Sequence, residues 1–114
     1  MIKVHGIKNC DTVKKALKWL EQNQVAYEFR DVRATPLTEA EVLQWLDEVP
    51  ADNLVNKRST SWRQLDESQR DLTDKATVSK LIAEQPTLFK RPLVEASNEI
   101  RVGFNAQQWE AWLA

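Results

Sequence analysis

Apolar residues in this chain recur at a spacing that switches from two to three or four and back, and the switches mark out its elements. Ile2-Lys3-Val4-His5 alternates and stops at Gly6, the pattern of a short strand ending in a turn. A loop follows, Ile7-Lys8-Asn9-Cys10. From Asp11 the apolar positions Val13, Ala16, Leu17 and Leu20 fall on one helical stripe, with Lys14, Lys15, Lys18 and Glu21 turned away from it. Val25, Tyr27 and Phe29 then alternate with Ala26, Glu28 and Arg30, which predicts a second strand. A right-handed crossover through the helix makes these two strands parallel.

Helical spacing dominates the middle of the chain. Thr38 and Glu41 have capping-box spacing, and Val42, Leu46 and Val49 continue one face until Pro50 stops the helix. Residues 51–72 have no clear period, and Trp62 and Leu65 are the natural anchors for short helical turns there. Val78, Leu81 and Ile82 return to helical spacing, ending at Glu84 or Gln85 ahead of Pro86. Pro92-Leu93-Val94-Glu95 and Ile100-Arg101-Val102 predict a hairpin turning through Ala96-Ser97-Asn98-Glu99. Asn105 can cap a last helix, with Gln108 completing the box and Ala106, Trp109 and Leu113 facing inward. No internal repeat or low-complexity tract interrupts this order.

Composition narrows the picture. With 114 residues, 42% hydrophobic and 29% charged, the expectation is one folded α/β domain over residues 1–114. A net charge of −1 gives no global attraction to nucleic acid or to an anionic membrane. No apolar stretch suits a signal peptide or a membrane span, so the expected location is cytoplasmic. One cysteine and one histidine give no plausible metal site, and any disulfide must be intermolecular. The five tryptophans fall largely in predicted helices, where they border a core rather than stack on bases.

Candidate chemistry centres on Cys10. It stands one residue before a helix, where free N–H groups and the positive end of the helix dipole favour a thiolate, lowering the pKa below the free value of about 8.5. A structural cysteine belongs on an apolar stripe, but Cys10 lies between polar Lys8-Asn9 and Asp11-Thr12. Val13 occupies the place where a two-cysteine redox motif carries its second thiol. An enzyme of this kind therefore needs a resolving thiol from solution; glutathione is the abundant candidate, acting as co-substrate through a mixed disulfide, with no tightly bound cofactor. Lys8 can lend charge to the thiolate, and Arg91 before Pro92, Arg101, Lys57 and Arg58 are further cations whose default role is surface solvation.

The segment Gly6-Ile7-Lys8-Asn9-Cys10-Asp11-Thr12-Val13-Lys14-Lys15-Ala16 resembles the arsenate reductase (ArsC)/Spx family, most closely its YffB-like branch. Asn56-Lys57-Arg58-Ser59-Thr60-Ser61-Trp62-Arg63-Gln64-Leu65, Lys90-Arg91-Pro92-Leu93 and Val102-Gly103-Phe104 match further family motifs in order and spacing. The resemblance spans essentially the whole chain. It implies a thioredoxin-like mixed sheet with an inserted helical subdomain at roughly 36–85. It also implies a cis Arg91-Pro92 bond and a ring of Arg58 (or Lys57), Arg91 and Arg101 around Cys10, where guanidinium groups suit an oxyanion or a carboxylate. Asn9, Thr12 and Pro92 would complete a glutathione or substrate site.

Two departures bear on function. Arsenate reductases carry a histidine four residues before the cysteine, where this chain has Gly6, and His5 does not take that role. Spx regulators carry a second cysteine where Val13 stands, which excludes an internal disulfide switch. The leading expectation is a monomeric glutathione-dependent thiol-disulfide reductase acting on an unidentified disulfide or oxyanion. The alternatives are an arsenate reductase coupled to glutathione and glutaredoxin, and a non-catalytic Spx-like protein that binds RNA polymerase.

Overall fold

The computed structural model describes residues 2–113 and divides them into two compact units. One joins the chain up to Val32 to the chain from Arg91 onward; the other is Arg33–Lys90.

The first unit is built on β1 (Ile2–Gly6), α1 (Asp11–Gln22) and β2 (Tyr27–Asp31), as the alternation and the helical stripe predict. β1 and β2 are parallel, with Ile2 opposite Tyr27 and Gly6 opposite Asp31. α1 ends in a complete Schellman turn: Val25 N–H donates to Leu20 C=O at 2.9 Å and Gln24 N–H to Glu21 C=O at 3.2 Å. Gln24 takes the left-handed conformation that this motif demands, with φ 56°.

The antiparallel hairpin is β3 (Leu93–Ala96) and β4 (Glu99–Val102), turning on Ser97 and Asn98, both at positive φ. The turn is shorter than predicted because Ala96 and Glu99 pair across the strands. β3 also pairs antiparallel with β1, giving the sheet order β2-β1-β3-β4. A final helix in this unit runs over Ala106–Leu113, with Gln108 N–H donating to the Asn105 side chain at 3.0 Å.

Val4 and Val94 from the sheet, Ala16 and Leu20 from α1 and Trp109 from the last helix close one core, so both helices cover the same sheet face. Trp109 meets Trp19 and Phe104 edge-on at ring distances of 5.8 and 4.9 Å. Ala106, expected inside, is exposed: it opens the helix at the rim, and Trp109 one turn later makes the contact.

The second unit is helical: α2 (Glu39–Glu48), α3 (Ala51–Leu54), α4 (Thr60–Arg63) and α5 (Lys75–Glu84), which makes the last helix of the chain α6. Short 3-10 turns lie at Glu67–Arg70 and Pro86–Leu88. The Thr38–Glu41 capping box forms as expected, with Glu41 N–H 3.1 Å from Thr38 Oγ1. Pro50 does more than stop α2, for it is the N-cap of α3. α2 packs against α5, burying Val42, Trp45 and Leu46 with Val78, Leu81 and Ile82. Phe89 stacks obliquely on Trp45 and bridges Val55 backbone to backbone. No helix among the described residues is long and apolar enough to cross a membrane.

Candidate active site

Cys10 ends a tight turn in which its N–H donates to Ile7 C=O at 3.1 Å, and its own C=O accepts the first helical bond, from Lys14 N–H at 3.0 Å. The residue keeps an extended backbone, φ −98° and ψ 122°, as an N-cap does. Its thiol makes no tight capping bond, yet the N–H groups of Val13 and Thr12 point at it.

Arg91 reaches the same sulfur from a position remote in sequence. β3 lies antiparallel to β1, with His5 opposite Leu93, so the start of β3 comes to the end of β1, from which the Ile7–Cys10 turn leads into α1. Arg91 immediately precedes β3 and places its guanidinium at the thiol. Burial pushes the Cys10 pKa up. The Val13 N–H, the Arg91 hydrogen bond and charge, and the Thr12 N–H together outweigh it, so the thiol titrates below its ordinary value. The Arg91-Pro92 peptide is cis, and buried Pro92 accepts at its C=O from Gly103 N–H at 2.9 Å.

Val13 is fully buried behind Cys10 and packs on Gly6. A Cβ on Gly6 would lie 2.8 Å from Val13 Cγ2, so a glycine at the end of β1 is what lets α1 start this close to the strand. Asn9 and Thr12 have exposed side chains beside the thiol, and Lys8 is exposed in the loop before it.

Of the cations in the expected ring, Arg91 is the one whose charge and hydrogen bond act on the thiol. Arg101 lies in β4 and has partners of its own. It pairs across the sheet with Val94, whose side chain lies in the core beneath α1 and α6, and paired residues share a face. Accordingly its guanidinium stands 4.4 Å over the Trp112 ring of α6, and its Nε meets Glu99 Oε2 at 3.0 Å. Lys57 and Arg58 belong to the helical unit, in the turn before α4. Lys57 is held by Asp52 at 2.8 Å, whereas Arg58 fixes the turn through its backbone N–H to Asn56 Oδ1 at 3.1 Å and keeps an exposed side chain.

Sequence reasoning missed the partner of His5. On the sheet face opposite Val4, buried His5 Nε2 lies 2.7 Å from Glu95 Oε2. His5 and Glu95 sit on neighbouring strands two positions apart in register, a proximity that no spacing in the sequence carries.

A family model described as the ArsC family matches residues 5–112. The chain belongs to the ArsC family. Among solved structures, a YffB protein superposes with a TM-score of 0.93 at 36% identity, covering 100% of both chains. An arsenate reductase (ArsC) related protein from Brucella melitensis superposes with a TM-score of 0.78 at 38% identity, over 97% of this chain and 92% of the other. The global transcriptional regulator Spx of Streptococcus agalactiae is 29% identical over 107 residues, 92% of this chain and 77% of the regulator. The ArsC/Spx membership and the thioredoxin-like α/β fold read from the sequence therefore stand. The family spans reductase-related proteins and regulators, so the chemistry has to be argued from this chain's own residues.

Proposed function

We propose that this protein is a glutathione-dependent thiol-disulfide reductase with Cys10 as its single nucleophile. The observation that carries the reading is the Cys10 thiol at the start of α1 with the Arg91 guanidinium against it, an arrangement that favours the thiolate over the neutral thiol. On a glutathione mixed disulfide R–S–S–G, the Cys10 thiolate attacks the glutathione sulfur. The R–S bond breaks, RS⁻ leaves and takes a proton from solvent, and Cys10–S–S–G forms. A second glutathione thiolate attacks that glutathione sulfur, releasing oxidised glutathione and restoring the Cys10 thiolate. The sum is RSSG + GSH → RSH + GSSG, in which the incoming glutathione is oxidised and the R sulfur reduced. Val13 requires the second step to come from solution, because no second thiol exists in the chain.

Arg91, Asn9, Thr12 and the backbone of Pro92 are the groups proposed to hold the glutathione moiety, in a reducing cytoplasmic setting. Arsenate reduction is the weaker reading, since Gly6 stands where the arsenate reductases carry histidine and Arg101 is engaged by Glu99 and Trp112. Intact-mass analysis after incubation with oxidised glutathione tests the proposal. One glutathione adduct, absent from Cys10→Ser, is the expected result; an unmodified wild-type protein overturns it.

A further inference from the structure

β1 and β3 are the two central strands of the sheet, joined by a short pairing of Lys3 with Glu95, Val4 with Val94 and His5 with Leu93. The thiol and its cation hang from the ends of these strands. Cys10 follows β1 through the Ile7–Cys10 turn, and Arg91-Pro92 leads straight into Leu93. The place of Arg91 at the thiol is therefore set by how β3 lies along β1.

Apolar packing secures the pairing on one face, where Val4 and Val94 lie beneath α1 and α6. On the other face a polar tie crosses it, His5 Nε2 lying 2.7 Å from Glu95 Oε2. The His5 side chain is 6% exposed and that of Glu95 38%, so the imidazole is the deeply buried partner. The tie runs diagonally, because the residue opposite His5 is Leu93; the same face carries Arg30 opposite His5 and Lys3 opposite Glu95. A buried imidazole is a costly choice for stability alone, since an apolar side chain in such a strand needs no partner. What the hydrogen bond adds is direction: it fixes the offset of one strand along the other, where apolar packing tolerates small slides.

We propose that the His5–Glu95 hydrogen bond is the positioning element that holds β3 at the offset where Arg91 meets the Cys10 sulfur. The groups acting on the thiol are the Val13 and Thr12 N–H groups and Arg91, with neither His5 nor Glu95 among them, so the pair acts through Arg91. This rests on the thiolate reading above and adds to it the residues that aim its cation.

Glu95→Val cuts the tie in the full chain, and the pH midpoint of Cys10 alkylation by iodoacetamide reads the result. Loss of a carboxylate acting by its field alone would favour the thiolate and lower the midpoint, whereas displacement of Arg91 raises it. The expected outcome is a rise most of the way to the midpoint of Arg91→Met. Glu95→Gln, whose amide can still hydrogen-bond the imidazole, should stay close to wild type. In the Arg91→Met background, Glu95→Val should move the midpoint no further, because the two changes break one unit. His5→Phe, which fills the buried space without the bond, should repeat the Glu95→Val result and takes its place if that variant does not fold. A midpoint that stays or falls in a folded variant, even one weakened in urea, overturns the positioning role and leaves the thiolate reading standing. So does a rise of equal size with and without Arg91. A wild-type midpoint in the ordinary cysteine range overturns the thiolate reading itself, and the positioning role with it.

Discussion

Cys10 gains its character from two directions, the open N–H groups of Thr12 and Val13 in its own helix and the Arg91 guanidinium brought by the neighbouring strand. Removing the second leaves the first, so Arg91→Met should retain a reactive thiol whose alkylation midpoint moves up from the wild-type value toward the ordinary cysteine range. An unchanged midpoint would mean that the helix start alone sets the thiolate. Stability follows the same proton. A folded-state pKa depressed below the unfolded one contributes stability at high pH that is lost as pH falls through the folded value. The stability of the wild type relative to Cys10→Ser should therefore rise with pH from that depressed value up to about 8.5, then level off, in chemical melts at a series of pH values. Behind the thiol, Gly6→Ala would drive a Cβ into Val13, whose branched side chain has little freedom to move aside. About 1–3 kcal/mol of destabilisation is expected in a urea melt, and a neutral result would show that β1 and α1 can part at no cost.

Elements with an uncontested period were legible from sequence: β1, α1, β2, the capped start of α2 and the Trp109 face of α6 all lie where apolar spacing puts them. Residues 51–72 were not, because α3 and α4 are four residues each and complete no repeat. They are fixed instead by caps such as Ser59, whose Oγ accepts from Trp62 N–H, and by backbone bonds from Asn56 to Leu88 and from Lys90 to Leu54. Strand register is a second limit: it sets Arg101 opposite Val94 with its guanidinium over Trp112, neighbours that no spacing in the sequence announces. At the end of α1, Gln24 occupies the left-handed slot of a Schellman turn, where glycine carries no steric penalty. Gln24→Gly should stabilise the protein by about 0.5–1 kcal/mol, the relief of left-handed strain less the extra freedom of the unfolded chain. A rise in Tm of about 2–5 °C is the readout, and a fall would mean that the Gln24 side chain holds the turn in a way its backbone does not.

At the scale of the whole molecule, the unit that carries Cys10 is assembled from two stretches of chain separated by the helical unit Arg33–Lys90. Its sheet becomes a sheet, rather than a β1-α1-β2 fragment, only when β3 returns to pair with β1, and this same pairing delivers Arg91 to the thiol. The core that secures the return contains few members: Val4, Ala16 and Leu20 from the first stretch meet Val94 and Trp109 from the second. Trp109 is 2% exposed and touches both Trp19 of the first stretch and Phe104 of its own. Trp109→Ala therefore removes a large buried side chain that joins the two stretches and should cost about 3–5 kcal/mol. In a mutant still folded at low temperature, raising the temperature should release the pairing of β3 with β1 and let the Cys10 alkylation midpoint drift upward as Arg91 departs. Chemical melts would give the lost stability, and the temperature dependence of the alkylation midpoint would show whether thiolate and sheet fail together. A midpoint that stays depressed after the sheet has melted would place the origin of the thiolate wholly within the Ile7–α1 turn.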